Sequence, residues 1–351
     1  MNLATSTSIG LGGPARHFWQ AQSETAALEA VRRAKDLGLE LFVLGGGSNL
    51  VVADRGIDAA VLGLTLSAIE VEETADRALC LVGAGRSWDD FVAFAVAREW
   101  AGVECLSGIP GQVGAVPIQN VGAYGQEVAD TVTRLRVLDR QSETISWLPA
   151  SECEFGYRAS RFKQREPERW LVLAVEFQLS KRGRVPTSYP ELERALAAHG
   201  PDTPSVARVR ETVLSLRKSK SMLLDPRDEN GRSCGSFFTN PVVESVDVER
   251  IAARAGDKPP AFPQPDGRVK VAAAWLIERA GLGRGTRSGH VGLSTRHTLA
   301  LVAHDGATAT ELVRFAWQVR RQVEEEFGVR LLPEPVFWGF DELEDGLPLV
   351  E

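Results

Sequence analysis

Cysteine is scarce in this chain, and the few present stand apart. Four occur in 351 residues, Cys80, Cys105, Cys153 and Cys234, with no CxxC pair and no metal-ligand spacing. A disulfide framework and a thiolate metal site are therefore not expected, and reduced thiols in a cytoplasmic setting are the default reading. Long apolar runs are missing too: no stretch of about 18 apolar residues is present to span a bilayer. The opening MNLATSTSIGLGGPARHFW lacks the charged head and apolar stretch of a secretory leader. Positive charge is in the minority, 40 Lys and Arg against 47 Asp and Glu, for a net charge of −7. That balance argues against a nucleic-acid protein but leaves room for a local basic pocket that takes a small anion. His17, His290, His297 and His304 share no metal-ligand spacing, so no metal is expected. What is present, 44% hydrophobic and 25% charged residues, is a globular composition. At roughly 150 residues per domain, the length suggests two or three domains. A soluble intracellular enzyme is the expectation.

The first 180 residues alternate helical and strand patterns. Ser23 to Gly38 places Ala27, Leu28, Val31, Ala34 and Leu37 on one face, with Ser23 as N-cap and Gly38 as stop. Short apolar strands are predicted at 41–44, 58–64 and 78–83, and a helix begins at Ser87, where Ser87 and Asp90 form a capping box. Strands resume at 132–138, 143–148 and 170–179. From Lys181 to Ser188 the chain turns polar around Gly183 and Pro186, which reads as a domain boundary. Helices follow near 189–198, 204–219, 270–280 and 309–327.

Several stretches could carry chemistry. GGGSN at 45–49 follows an apolar strand, and its glycines let consecutive N–H groups converge on an anion such as a pyrophosphate. It is neither GxGxxG nor a P-loop, and alone it reads more readily as a simple strand-to-turn connection. The stretch 108–125 holds five glycines and two prolines with few charges. That composition suits backbone wrapped around a large flat cofactor, with Gln119 and Asn120 as amides for its polar edge. In FGYRAS at 155–160, Arg158 could fork onto a carboxylate or phosphate, or pair with a nearby Glu. SCGSFFTNP at 233–241 lacks a GxSxG elbow, and on its own Ser236 reads as a strand-edge serine bonded to backbone. LLPEPVFWG at 331–339 sets Glu334 between two prolines in an apolar run. A buried carboxylate there would be a candidate for a raised pKa.

Taken together and in this order, these stretches resemble the UDP-N-acetylenolpyruvoylglucosamine reductase (UDP-N-acetylmuramate dehydrogenase) family. The resemblance runs from TSIGLGGPA at 7–15 to PEPVFWG at 333–339. LGGGSNLVVAD at 44–54 and IPGQVGAVPIQNVGAYG at 109–125 are also similar to the wider FAD superfamily of vanillyl-alcohol oxidase. FGYR at 155–158, GSFFTNP at 235–241 and the terminal PEP point to the narrower family. The resemblance implies an α+β fold: a two-subdomain FAD-binding domain of vanillyl-alcohol-oxidase (PCMH) type at 11–182, and a C-terminal α/β substrate-binding domain at 189–340. The latter would close over the flavin, its terminal segment 328–340 packing back near it.

The resemblance also implies residue roles. FAD would be held non-covalently by Leu44, Gly45, Gly46, Gly47, Ser48, Asn49 and Leu50. The second stretch would add Ile109, Pro110, Gly111, Gly114, Ala115, Ile118, Gln119 and Asn120, then Gly122, Ala123, Tyr124 and Gly125. NADPH would reduce the flavin and leave. UDP-N-acetylglucosamine enolpyruvate would then take the same pocket and receive the hydride from flavin N5. Arg158 would hold its carboxylate, Ser236 would deliver the proton, and Glu334 would act as a neutral donor or orient a cation or water. Tyr124, Tyr189, Lys220, Asn240 and His297 would complete the substrate contacts. No nucleic acid, no membrane insertion and a monomer are expected. An oxygen-using oxidase or dehydrogenase of an alcohol or hydroxy acid, in the same superfamily, is the alternative.

Overall fold

The computed structural model describes residues 1–182, 189–198, 200 and 203–340; most of the expected boundary at 181–188 lies outside the described residues. The chain packs into two units. One comprises Arg16–Gly46 and Asp58–Leu223; the other gathers Met1–Ala15, Gly47–Ile57 and the chain from Leu224 onward. The division is not a single cut at the expected boundary. Residues 47–57 go with the C-terminal unit, and 189–223 with the other.

In the Arg16–Gly46/Asp58–Leu223 unit, strand Leu41–Leu44 pairs parallel with Ile57–Leu64, which has Ala15–Ala21 on its other side. Ile57–Leu64 is almost continuously buried, as a central strand in such a sheet should be. Helix Glu24–Asp36 covers this sheet with Ala27, Ala30, Val31 and Ala34. Its N-terminus is capped by Ser23 Oγ, which accepts from the Ala26 N–H at 3.1 Å. It stops at Gly38, where φ is +64°. Leu37, expected on the buried face, is half exposed because it is the C-cap, where the chain already leaves the helix.

A five-stranded antiparallel sheet follows in the order Thr144–Pro149, Val132–Asp139, Trp170–Ser180, Arg77–Gly83, Ile69–Glu73. The last strand was not expected. Its IEVEE sequence is exposed along its length, and the charges suit an edge rather than a core position. Trp88, Phe91 and Phe177 form an aromatic knot under this sheet, with centroids 4.8–5.8 Å apart. Helices Pro190–Ala197 and Val206–Ser219 bury Leu192, Leu196, Val209 and Val213 against Cys105 and Tyr124. This packing places 189–223 in the same unit as the glycine-rich stretch.

The other unit centres on helix Ala309–Phe327, whose buried face packs beside an antiparallel sheet in the order Ser233–Ser236, Ala300–Ala303, Val291–Leu293, Arg287–Ser288. Thr308 and Asp54 both cap that helix: Asp54 accepts from the N–H groups of Ala309 at 2.7 Å and Thr310 at 2.9 Å. Strand Val336–Trp338 pairs parallel with Leu50–Val52. This pairing draws 47–57 into the unit. Among the described residues, no helix is long and apolar enough to cross a membrane.

Candidate active site

Glycine lets the two glycine-rich stretches approach at backbone distance. A β-carbon on Gly46 would stand 2.6 Å from the Gly111 Cα, and one on Gly45 would stand 3.3 Å from the Ala115 β-carbon. The second stretch is anchored from behind. The Trp88 N–H donates to Gly111 O at 3.0 Å, the Val113 N–H to Arg86 O at 2.9 Å and the Gly114 N–H to Ala84 O at 2.9 Å. Gly46 and Ala115 are exposed on this cradle. A surface made of closely set backbone with no side chains in the way fits the diphosphate of a dinucleotide. The residues present therefore fit FAD.

Asn120 departs from its expected role. It is 1% exposed, and its amide bonds to Glu127 Oε2 at 2.7 Å, Gly156 O at 3.0 Å and the Ala129 N–H at 3.0 Å. Its side chain is committed to the protein rather than offered to a cofactor. Asn120, Tyr124 and Arg158 all adopt left-handed backbone, at φ +45°, +49° and +52°. Such conformations are uncommon for non-glycine residues and concentrate at functional sites.

Arg158 sits at the tip of a turn in which Gly156 and Ala159 exchange both backbone hydrogen bonds at 3.1 Å. Its Nη2 donates to Gly122 O at 2.7 Å. Part of its guanidinium is thus seated on a backbone carbonyl of the glycine-rich stretch. Ser160 and Arg161 tie the flanks of the turn down, Ser160 Oγ to Ile118 O and the Arg161 N–H to Cys153 O.

In the other unit, Ser236 is aimed by a β-bulge. Ser233 pairs with Val302 and Ser236 with Ala300, so one extra residue is accommodated between them. Gly235, at φ +71°, supplies the left-handed step this needs. The next strand partner is the Glu334 segment. The Glu334 N–H donates to Phe237 O at 2.9 Å, and Asn49 Nδ2 donates to Glu334 O at 3.2 Å. Ser236 and Glu334 therefore meet on neighbouring backbone, beside Ser48 and Asn49. Both side chains are half-buried, and Glu334 is flanked by exposed Leu332 and Val336.

The remaining substrate candidates separate. Lys220 Nζ lies 2.6 Å from Glu191 Oε2 and 5.9 Å above the Tyr124 ring, which meets Tyr189 edge-on at 5.3 Å. Burial pushes the Tyr124 hydroxyl up to about 12 despite the opposing pull of Arg217. These three candidates form one cluster. Asn240 Oδ1 instead accepts from the Ala273 N–H at 2.9 Å, closing the start of helix Ala273–Arg279. His297 lies in the loop before Ala300–Ala303, where its carbonyl accepts from the Ala300 N–H. Sequence reasoning missed Asp89 and Arg217. Asp89 takes both guanidinium nitrogens of Arg210 at 2.6 and 2.8 Å and the Gly108 N–H at 2.6 Å, pinning the start of the glycine-rich stretch. Burial raises its carboxyl, but Arg210 and the Gly108 N–H outweigh that and hold it below the ordinary value. Arg217 was visible only as part of the RKSK run at 217–220. Among the described residues, no three His, Cys, Asp or Glu side chains gather to hold a metal.

Comparison with known proteins gives a consistent result. The family model described as UDP-N-acetylenolpyruvoylglucosamine reductase, C-terminal domain, matches residues 225–338, and an FAD binding domain model matches residues 15–147. The UDP-N-acetylenolpyruvoylglucosamine reductase of Thermobifida fusca is 48% identical over 348 residues, covering 96% of each chain. That of Salinispora arenicola is 46% identical over 342 residues, covering 95% of this chain and 94% of the relative. The crystal structure of the Thermus caldophilus reductase superposes with a TM-score of 0.67 at 26% identity, covering 96% of this chain and 97% of that one.

Proposed function

The chain belongs to the UDP-N-acetylenolpyruvoylglucosamine reductase family, and we propose that it reduces UDP-N-acetylglucosamine enolpyruvate to UDP-N-acetylmuramate with NADPH as the electron source. Bound FAD supplies the hydride. This hydride adds to the terminal carbon of the enolpyruvyl group, so negative charge builds on the neighbouring carbon and spreads into the carboxylate. Arg158, always protonated, holds that carboxylate and stabilises the charge as it develops. Ser236 gives its proton to the neighbouring carbon. A serine hydroxyl is a weak acid, adequate here because the carbanion is far more basic. Glu334 serves either as a neutral donor or as the group that orients a cation or water.

The observation that carries this reading is the placement of Ser236 and Glu334. A bulge turns the serine and one backbone hydrogen bond sets the carboxylate segment beside it. Lys220, with Tyr124 and Tyr189, takes the anionic nucleotide portion, and His297 and Asn240 also serve the substrate, Asn240 through backbone as its side chain is engaged. FAD is held by backbone at 45–50 and 109–125 without a covalent link. The protein works in the cytoplasm as a monomer.

An anaerobic absorbance trace tests this. NADPH should bleach the flavin band and UDP-N-acetylglucosamine enolpyruvate should restore it. Recovery only when air is admitted would support the oxidase alternative and refute the proposal.

A further inference from the structure

Asn120 has every hydrogen-bonding group in use. An asparagine amide offers two donor hydrogens and one acceptor oxygen. Here the donors go to Glu127 Oε2 and Gly156 O, and the acceptor takes the Ala129 N–H. Glu127 is itself fixed: its N–H donates to Asp130 Oδ2 at 2.8 Å and its side chain accepts from the Asp130 backbone. At 1% exposure Asn120 itself is shielded from water, so its own three bonds face little competition from solvent.

The bond to Gly156 holds the turn that carries Arg158. Left to itself, a residue with so large a side chain would relax from φ +52° into right-handed or extended backbone, displacing the guanidinium. The other end of the strap is also about Arg158. Gly122, two residues after Asn120, receives the Nη2 hydrogen bond at 2.7 Å, and a β-carbon there would come 3.2 Å from Nη1. One buried amide thus ties the turn that presents the guanidinium to the segment that seats it.

We infer that Asn120 is a positioning residue for Arg158, strapping turn 156–159 to the backbone seat at Gly122 so that the guanidinium meets the substrate carboxylate in one geometry. The inference rests on the reading that Arg158 holds that carboxylate. Asn120 acts through Arg158 and touches neither substrate nor reacting atoms.

The test uses the FAD-loaded full chain in single-turnover absorbance. The readout is the rate of flavin reoxidation by UDP-N-acetylglucosamine enolpyruvate divided by the rate of flavin reduction by NADPH. In N120D, which keeps the shape and the acceptor but loses both donors, this ratio should fall roughly ten- to hundredfold, the scale of an ångström misplacement. The same substitution in an R158K background should add little, because the group it positions is already altered. If R158K itself leaves the ratio at the parent value, the reading of Arg158 falls and the inference with it. If R158K is impaired but N120D is not, or if the two losses add in full, the inference alone is overturned. Should N120D fail to retain FAD, E127Q carries the test. It weakens the strap from one side without touching the turn, and it should lower the ratio severalfold; an unchanged ratio overturns the inference.

Discussion

The Glu334 N–H donates to the carbonyl of Phe237 at 2.9 Å, so Glu334 is held by its backbone to the residue that follows Ser236. Pro333 and Phe238 extend this contact as an antiparallel bridge. Because the anchor is main chain, replacing either side chain leaves the other in place. The two can be dissected singly.

Ser236→Ala should slow flavin reoxidation by the enolpyruvyl substrate about 10²–10⁴-fold, the range for loss of a positioned proton donor, and far more than it slows reduction by NADPH. Equal losses in both half-reactions would remove Ser236 as the acid. Glu334→Gln should also slow reoxidation, and its pH profile separates the two roles left to Glu334. A neutral donor gives the parent a limb that falls as pH rises, an orienting carboxylate one that falls as pH drops, and either limb vanishes in the variant.

The aim of Ser236 depends on Gly235, and this can be tested without a steric clash. At φ +71° a side chain is strained, yet nothing lies within 4 Å of where a β-carbon would stand. Gly235→Ala should therefore cost stability of about 1 kcal/mol through backbone strain alone. Gly256, the left-handed stop of helix Ser245–Ala255, is the matched control, with φ +66° and equally open space. Both variants should lower Tm by a few degrees, but only Gly235→Ala should slow reoxidation. Parent-like turnover in Gly235→Ala would mean the bulge does not aim the serine.

Much of this was legible in the chain, for local reasons. Leu41–Leu44 is a short apolar run that ends on glycines, and Ser23 and Ser87 announce helix starts by forming short-range hydrogen bonds. What could not be read depends on partners far away in sequence. Leu50–Val52 looks like any short apolar strand until Val336–Trp338 pairs with it and takes it out of the N-terminal fold. Asp89 is one of two acidic residues opening a helix, and only its distant partner Arg210 reveals that it fixes Gly108. Asn120 stood in a motif associated with the cofactor. Its three protein partners are set by how turn 156–159 packs, which no local pattern encodes.

Acid should weaken the unit that carries Arg158 through Asp139. The Arg169 guanidinium, 2.7 Å away, lowers the Asp139 carboxyl to about 2, helped by the Gln141 and Ser142 N–H groups. Its folded value lies below the ordinary 3.8, so its contribution is complete above that value and is lost as pH falls from 3.8 through 2. The Asp139 side chain is 6% exposed but Arg169 is 31% exposed, so solvent screens the pair in part and discounts the full shift. Asp139→Asn should be less stable at pH 7 by about 1–2 kcal/mol. The gap should close near pH 2, as read by urea unfolding across the range. A gap that persists at pH 2 would show that the loss comes from packing rather than charge.

Lys220 is occupied before any substrate arrives. Its ammonium pairs with Glu191 at 2.6 Å, and both side chains are 31% exposed. If Lys220 takes the anionic nucleotide, that anion must displace the Glu191 carboxylate or share the lysine with it. A pair this exposed contributes only about 0.2–1 kcal/mol, which sets the scale of the competition. Glu191→Gln should therefore lower KM for the sugar nucleotide about two- to fivefold, more at low salt than at high salt. Lys220→Ala should raise KM and flatten its salt dependence. Glu191 also sits beside Tyr189 at the start of helix Pro190–Ala197, so its removal could instead disturb the tyrosine. A rise in KM for Glu191→Gln would mean the carboxylate organises the Tyr124–Tyr189 contact rather than guarding the lysine.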